Sequence, residues 1–109
     1  MTKVMIDPGV CGFVTQVTAE MTGKKEVKLQ IRSGCESVRA ITEKLGDTFP
    51  AWDLVLKHPG EGPLYDFAKE NFPPHAACPV ISGITKCVEV ECKMALPKNV
   101  TISFEDPAK

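Results

Sequence analysis

The stretch Val10-Cys11-Gly12-Phe13-Val14-Thr15-Gln16-Val17-Thr18-Ala19-Glu20-Met21-Thr22-Gly23-Lys24-Lys25-Glu26-Val27-Lys28-Leu29-Gln30-Ile31-Arg32-Ser33-Gly34-Cys35-Glu36, residues 10–36, decides the fold. In its first half Cys11, Phe13, Thr15, Val17, Ala19 and Met21 alternate with Val10, Gly12, Val14, Gln16, Thr18 and Glu20. In its second half Val27, Leu29 and Ile31 alternate with Glu26, Lys28, Gln30 and Arg32. A period of two belongs to a strand with one buried face. With Thr22-Gly23-Lys24 as the turn, the stretch predicts a β-hairpin with strands over 10–21 and 26–32. Centring the turn on Gly23 sets Ala19 against Val27, Val17 against Leu29, Thr15 against Ile31 and Cys11 against Cys35. That register keeps the apolar faces together, whereas a slip of one residue inverts them.

The second strand hands over to a helix at Ser33-Gly34-Cys35-Glu36. Ser33 followed three residues later by Glu36 is a capping box, in which the serine oxygen accepts the Glu36 N–H and the glutamate reaches back to the Ser33 N–H. Cys35 then falls in the first helical turn. Free N–H groups and the positive end of the helix dipole there favour a thiolate, the setting in which a cysteine pKa falls from about 8.5 towards roughly 3.5–7.5. The helix is expected over 34–45, with Val38, Ile41 and Leu45 as its buried stripe and Gly46 as its stop.

Outward from this centre, Val4 and Ile6 predict a brief edge strand before the Asp7-Pro8-Gly9 turn. Residues 47–62 read two ways, as a short strand through Trp52, Leu54 and Leu56 or as a helical turn or two through Trp52, Val55 and Leu56. Pro63 suits the first turn of a second helix carrying Leu64, Tyr65, Phe67, Ala68 and Phe72, stopped by Pro73-Pro74. Pro79 opens a third helix and makes Cys78 its N-cap. Val80, Ile81, Ile84 and Val88 form the apolar side of that helix. Cys87 and Cys92 flank it as packing residues, and Glu91 lies in the stripe near enough to the helix end to reach water. After Leu96-Pro97, Val100, Ile102 and Phe104 alternate with Thr101 and Ser103 as a final strand, expected parallel to the second strand of the hairpin. Residues 105–109 read as a flexible tail. The order β-β-α-(α)-α-β implies an α+β two-layer domain spanning 1–109, a small mostly antiparallel sheet covered on one face by helices.

Composition narrows the function class. A chain of 109 residues buries roughly two thirds of its unfolded surface and needs no covalent staple. Lys and Arg number 13 against 14 Asp and Glu, a net charge of −1 with no basic run, which argues against nucleic acid. No segment approaches the ~18 apolar residues of a membrane span, and no signal-peptide core opens the chain, so a cytoplasmic protein is expected. The five cysteines are odd in number and widely spread, unlike a secreted disulfide framework. Metal, cluster or thiol chemistry follows as the expectation, although no Cys-x-x-Cys occurs.

Convergence then has to come from the fold. If the second helix returns antiparallel to the first, the third begins at the Cys11/Cys35 end of the sheet. Cys11, Cys35 and Cys78 then meet there, with His75 as the natural fourth ligand. Gly12 and Gly34 beside two of them let backbone approach a bound ion. Such a set suits zinc as Cys₃His, or an iron–sulfur cluster on three thiolates. A metal-free alternative uses Cys11 with Cys35, or Cys35 with Cys78, as a reactive pair in redox exchange or sulfur transfer with a protein partner. A Cys78/His75 nucleophilic dyad lacks an orienting third group. In a third reading every cysteine is merely packed and the chain is an interaction module.

Cys11-Gly12-Phe13, Ser33-Gly34-Cys35-Glu36, His75-Ala76-Ala77-Cys78-Pro79 and Leu96-Pro97 before a strand together resemble a family of small uncharacterised proteins found chiefly in anaerobic bacteria and methanogenic archaea. Residues 47–62 match least. The resemblance implies the three-cysteine grouping and an oxygen-free cytoplasm, and it carries no established activity.

Overall fold

The hairpin forms the centre of a four-stranded sheet in a computed structural model that describes residues 1–107. Strand β1 is Thr2–Ile6, β2 Thr15–Met21, β3 Glu26–Ser33 and β4 Thr48–Pro50, in the spatial order β1-β2-β3-β4 with every neighbour antiparallel. In the hairpin Thr15 faces Ser33, Val17 faces Ile31, Ala19 faces Leu29 and Met21 faces Val27. This differs by two residues from the register centred on Gly23. The loop holds Thr22 to Lys25 and is closed by the Thr22 N–H donating to the Glu26 carbonyl at 3.0 Å. A two-residue displacement leaves each side chain on its own face, so Val17, Ala19, Val27 and Leu29 are buried as the alternation requires.

Strand β2 begins at Thr15, not Val10. Residues 7–14 loop away because Gly9 (φ 91°) and Gly12 (φ 72°) sit in left-handed conformations. A turn is tied there by the Gly9 N–H on Asp7 Oδ1 at 3.0 Å and the Gly12 N–H on the Gly9 carbonyl at 2.9 Å. Cys11 therefore lies in an exposed loop, and the Cys11–Cys35 cross-strand pair does not form.

Four helices accompany the sheet among the described residues: α1 Glu36–Leu45, α2 Ala51–Val55, α3 Pro63–Asn71 and α4 Val80–Glu91. Helix α4 packs on β1 and β2, and α1 packs on β3. The core joins Val17, Ala19, Val27 and Leu29 of the sheet to Val38 and Ile41 of α1, Leu54 of α2, Leu64 and Phe67 of α3, and Val80, Ile81, Ile84 and Val88 of α4. Leu45, expected in the stripe of α1, is 40 % exposed. Phe67 and Phe72 meet edge to face, ring centroids 6.4 Å apart. The Tyr65 and Ser82 hydroxyls join α3 to α4 at 3.2 Å.

The ambiguous stretch 47–62 resolves into the short strand β4, which buries Phe49, followed by a helical turn that buries Ala51 and Leu54 and leaves Trp52 and Leu56 outward. Strand β4 occupies the position beside β3 that the final strand was expected to take. Val100, Ile102 and Phe104 accordingly belong to no strand and are 60 %, 82 % and 101 % exposed. The expected tail 105–109 starts among the described residues, and its last two positions lie outside them.

Candidate thiol site

Ser33 ends β3, and its hydroxyl organises the start of α1. Ser33 Oγ accepts the hydroxyl of Thr15, which is fully buried at the paired end of β2, at 2.8 Å and the Cys35 N–H at 3.1 Å. The capping box expected here is not made. Cys35 itself is the N-cap, in an extended conformation, and the helix begins at Glu36. The serine bonds two residues on rather than three because the helix starts late and Ser33 stands two positions ahead of its N-cap. The Cys35 carbonyl accepts the Arg39 N–H at 3.0 Å, while Arg39 Nη1 donates to the Ser33 carbonyl at 2.9 Å. The guanidinium is thereby held over the Ser33–Cys35 corner. No side chain caps the first-turn amides of α1, which leaves donors for an anionic group formed beside Cys35.

Phe13 ties the loop that carries Cys11 to this corner. A Cβ built on Gly34 would meet the Phe13 ring at 2.9 Å, so the absence of a side chain at Gly34 is what lets this ring lie against the backbone next to Cys35. Phe13 is two positions from Cys11, and the loop 7–14 is thus seated on the Cys35 corner with Cys11 exposed.

Helix α4 positions Cys78. Its last residue, Glu91, touches Thr2 and Met21, whereas Gly83 in its first turn lies against Ile6. Thr2 and Met21 mark one end of the sheet and Ile6, Thr15 and Ser33 the other. Cys78, just ahead of α4, therefore stands at the Cys35 end and packs partly against the core. The helix starts one residue later than expected, with Pro79 as its N-cap, and the Cys78 N–H donates to the His75 carbonyl at 3.3 Å.

Sharing an end does not make a ligand set. Among the described residues no group of three or more His, Cys, Asp and Glu side chains is placed to hold a metal ion, so the expected set Cys11, Cys35, Cys78 and His75 is not assembled as a metal centre. The converging geometry depended on Cys11 continuing β2, and the glycine turns of the 7–14 loop remove it from the strand. His75 is exposed in its turn. All five cysteines are free thiols.

The two remaining cysteines are packed, as expected. Cys87 is fully buried, and burial pushes its pKa up to about 11. Its thiol donates to the Thr2 carbonyl at 3.3 Å. Cys92 is raised by burial and then by the charge of Glu91, and its thiol meets Met21 Sδ at 3.6 Å.

Glu91 is the polar residue whose role the sequence left open. Its carboxylate accepts the Thr2 hydroxyl at 2.7 Å, the Met21 N–H at 3.0 Å and the N-terminal ammonium at 3.2 Å. Burial acts to raise its pKa, but these donors outweigh it and hold the carboxyl below the usual range. The one signal for this in the sequence was an acidic residue inside an apolar stripe.

Two surface depressions, one lined by residues including Gln30, Arg32, Glu43 and Asp47 and one by Val55, Leu56, Lys57, His58 and Glu61, are not lined by any cysteine. Among the described residues no helix is long and apolar enough to cross a membrane. The model of a family of unknown function, DUF6951, matches residues 2–104. No curated protein and no solved structure matches the chain.

Proposed function

We propose that this chain, which belongs to the DUF6951 family of unknown function, is a thiol-exchange protein of the redox or sulfur-transfer class working at the Cys35 corner. The observation that carries the reading is the seating of Phe13 on Gly34, which holds the Cys11 loop beside the uncapped start of α1. In the redox form Cys35 attacks a disulfide of a protein partner, one partner sulfur leaves as thiolate, and a mixed disulfide forms. Cys11 then attacks Cys35 Sγ, closing a Cys11–Cys35 disulfide and releasing the partner's second thiolate. Two electrons pass from the dithiol to the partner. Cys78, at the same end of the sheet, is the second candidate for the resolving thiol, and the exposed position of Cys11 favours Cys11. The oxygen-poor cytoplasm implied by the resemblance suits a dithiol that is kept reduced.

The test is mild oxidation of anaerobically purified protein followed by peptide mapping. The expected product carries a Cys11–Cys35 bridge, is restored by dithiothreitol, and is lost in Cys35→Ser. Failure of Cys11, Cys35 and Cys78 to form any bridge refutes the reading. So does stoichiometric zinc or iron that disappears in Cys35→Ser, since that assigns the thiols to a metal.

A further inference from the structure

The segment Asn99–Phe104 has the composition and alternation of a strand, yet it pairs with nothing in its own sheet. Val100, Ile102 and Phe104 would share one face of an extended chain and are 60 %, 82 % and 101 % exposed, with Leu96 at 85 %. Three aligned apolar residues left in water run against the burial that stabilises every other strand here. The segment is also no appendage to the family's domain, because the family match runs to residue 104.

The sheet offers an acceptor edge. β1 is an edge strand, with one neighbour only, and its inward residues Val4 and Ile6 are only partly covered by α4. A further strand beside it would lay Val100, Ile102 and Phe104 on the helix-covered face and complete that cover. Lengths agree: the six-residue segment spans about 20 Å and the five residues of β1 about 17 Å at about 3.3 Å per residue. Edge strands with free backbone groups are templates for this kind of addition.

We propose that Asn99–Phe104 pairs with β1 of a second copy of this chain, forming a two-fold dimer in which the arms are exchanged. Direction selects the second copy over the chain's own edge. Helix α4 ends beside Thr2, where Glu91 accepts the Thr2 hydroxyl, so an arm that turned directly back onto its own β1 would run from Thr2 towards Ile6, parallel to it. Every pair in this sheet is antiparallel. A copy related by a two-fold axis at this edge offers its β1 in the opposite sense, and the arm meets it antiparallel, the slightly more stable arrangement. Area is sufficient as well. With a buried aromatic worth about 150–250 Å², two arms of this composition and the edges they cover remove on the order of 1,500 Å² from water, within the roughly 1,200–2,000 Å² of stable interfaces.

Light scattering on the full chain at micromolar concentration reads the outcome directly. The expected mass is twice the 11.9 kDa of one chain. Ile102→Asp, which puts a charge on the buried face of the arm, and Thr101→Pro, which fixes φ and removes a donor without touching an apolar side chain, each return the mass to that of one chain. Both variants keep the far-ultraviolet circular dichroism of the parent, since these positions lie outside the core. A parent that stays monomeric overturns the proposal, whether its arm is free, folded on its own β1 or reserved for a different protein. A dimer that persists in both variants overturns it too, because another surface then holds the copies together.

Discussion

Replacing Glu91 by Gln tests how the end of α4 is fastened to the sheet. Glutamine has nearly the same shape, and it can turn its oxygen to the Met21 N–H and its amide nitrogen to the Thr2 hydroxyl, which rotates to accept. Both hydrogen bonds survive in neutral form, and what is lost is their charge. Hydrogen bonds to charged groups contribute about 1.5–3 kcal/mol against about 0.5–1.5 for neutral ones, so two such losses cost roughly 2–3 kcal/mol. The pairing with the N-terminal ammonium adds little, since Met1 is largely exposed. For a domain of this size the change lowers the melting temperature by roughly 9–13 °C. The pH dependence has a defined sign. The carboxyl of Glu91 is held below its ordinary range in the folded chain. Its contribution is therefore complete above the unfolded value of about 4.3 and is lost as the pH falls through the folded value. Urea unfolding of parent and variant across this range should show a gap that is full at neutral pH and closes in acid. A gap below about 0.3 kcal/mol at neutral pH, or one that stays constant into acid, refutes the role assigned to the carboxylate.

Cys87 should resist alkylation in the folded chain and react once the chain unfolds in denaturant, because it is fully buried and its thiol is pushed up to about 11; labelling as fast as that of exposed Cys11 contradicts this. Since its pKa is raised on folding, Cys87 also draws stability down as the pH climbs from about 8.5 towards the folded value, a decline that Cys87→Ala should flatten. Ser33→Ala removes the acceptor of the buried Thr15 hydroxyl and of the Cys35 N–H, and chemical denaturation should show a loss of about 1–3 kcal/mol. Adding Thr15→Val removes the stranded hydroxyl and should recover part of that loss; a double variant less stable than the single one excludes the Thr15–Ser33 bond as the cause.

Period-two alternation placed β2 and β3 and determined which of their faces is buried, because side-chain direction along a strand depends on local geometry alone. The same is true of α1, α3 and α4, whose apolar spacing and flanking Pro63, Pro79 and Gly46 bracket helices close to those observed. Cys87 and Cys92 were legible as packing residues from their place on the wheel of α4. Cys35 and Cys78 were legible as standing within two residues of the starts of α1 and α4, whereas the antiparallel return expected between those helices supposed no element in 47–62, where β4 and α2 stand. The register did not follow, since a displacement of two residues conserves every face and only the closure of the Thr22–Lys25 loop distinguishes the choices. Nor did the start of β2: alternation continues through Cys11 and Phe13, while left-handed Gly9 and Gly12 turn that segment out of the sheet. The final strand had a sound local pattern and lost its place to β4, a three-residue strand too short to carry a pattern of its own. Glu91 makes the same point from the polar side. Its partners Thr2 and Met21 lie 89 and 70 residues away, so only the packing of α4 across β1 and β2 could bring them to one carboxylate.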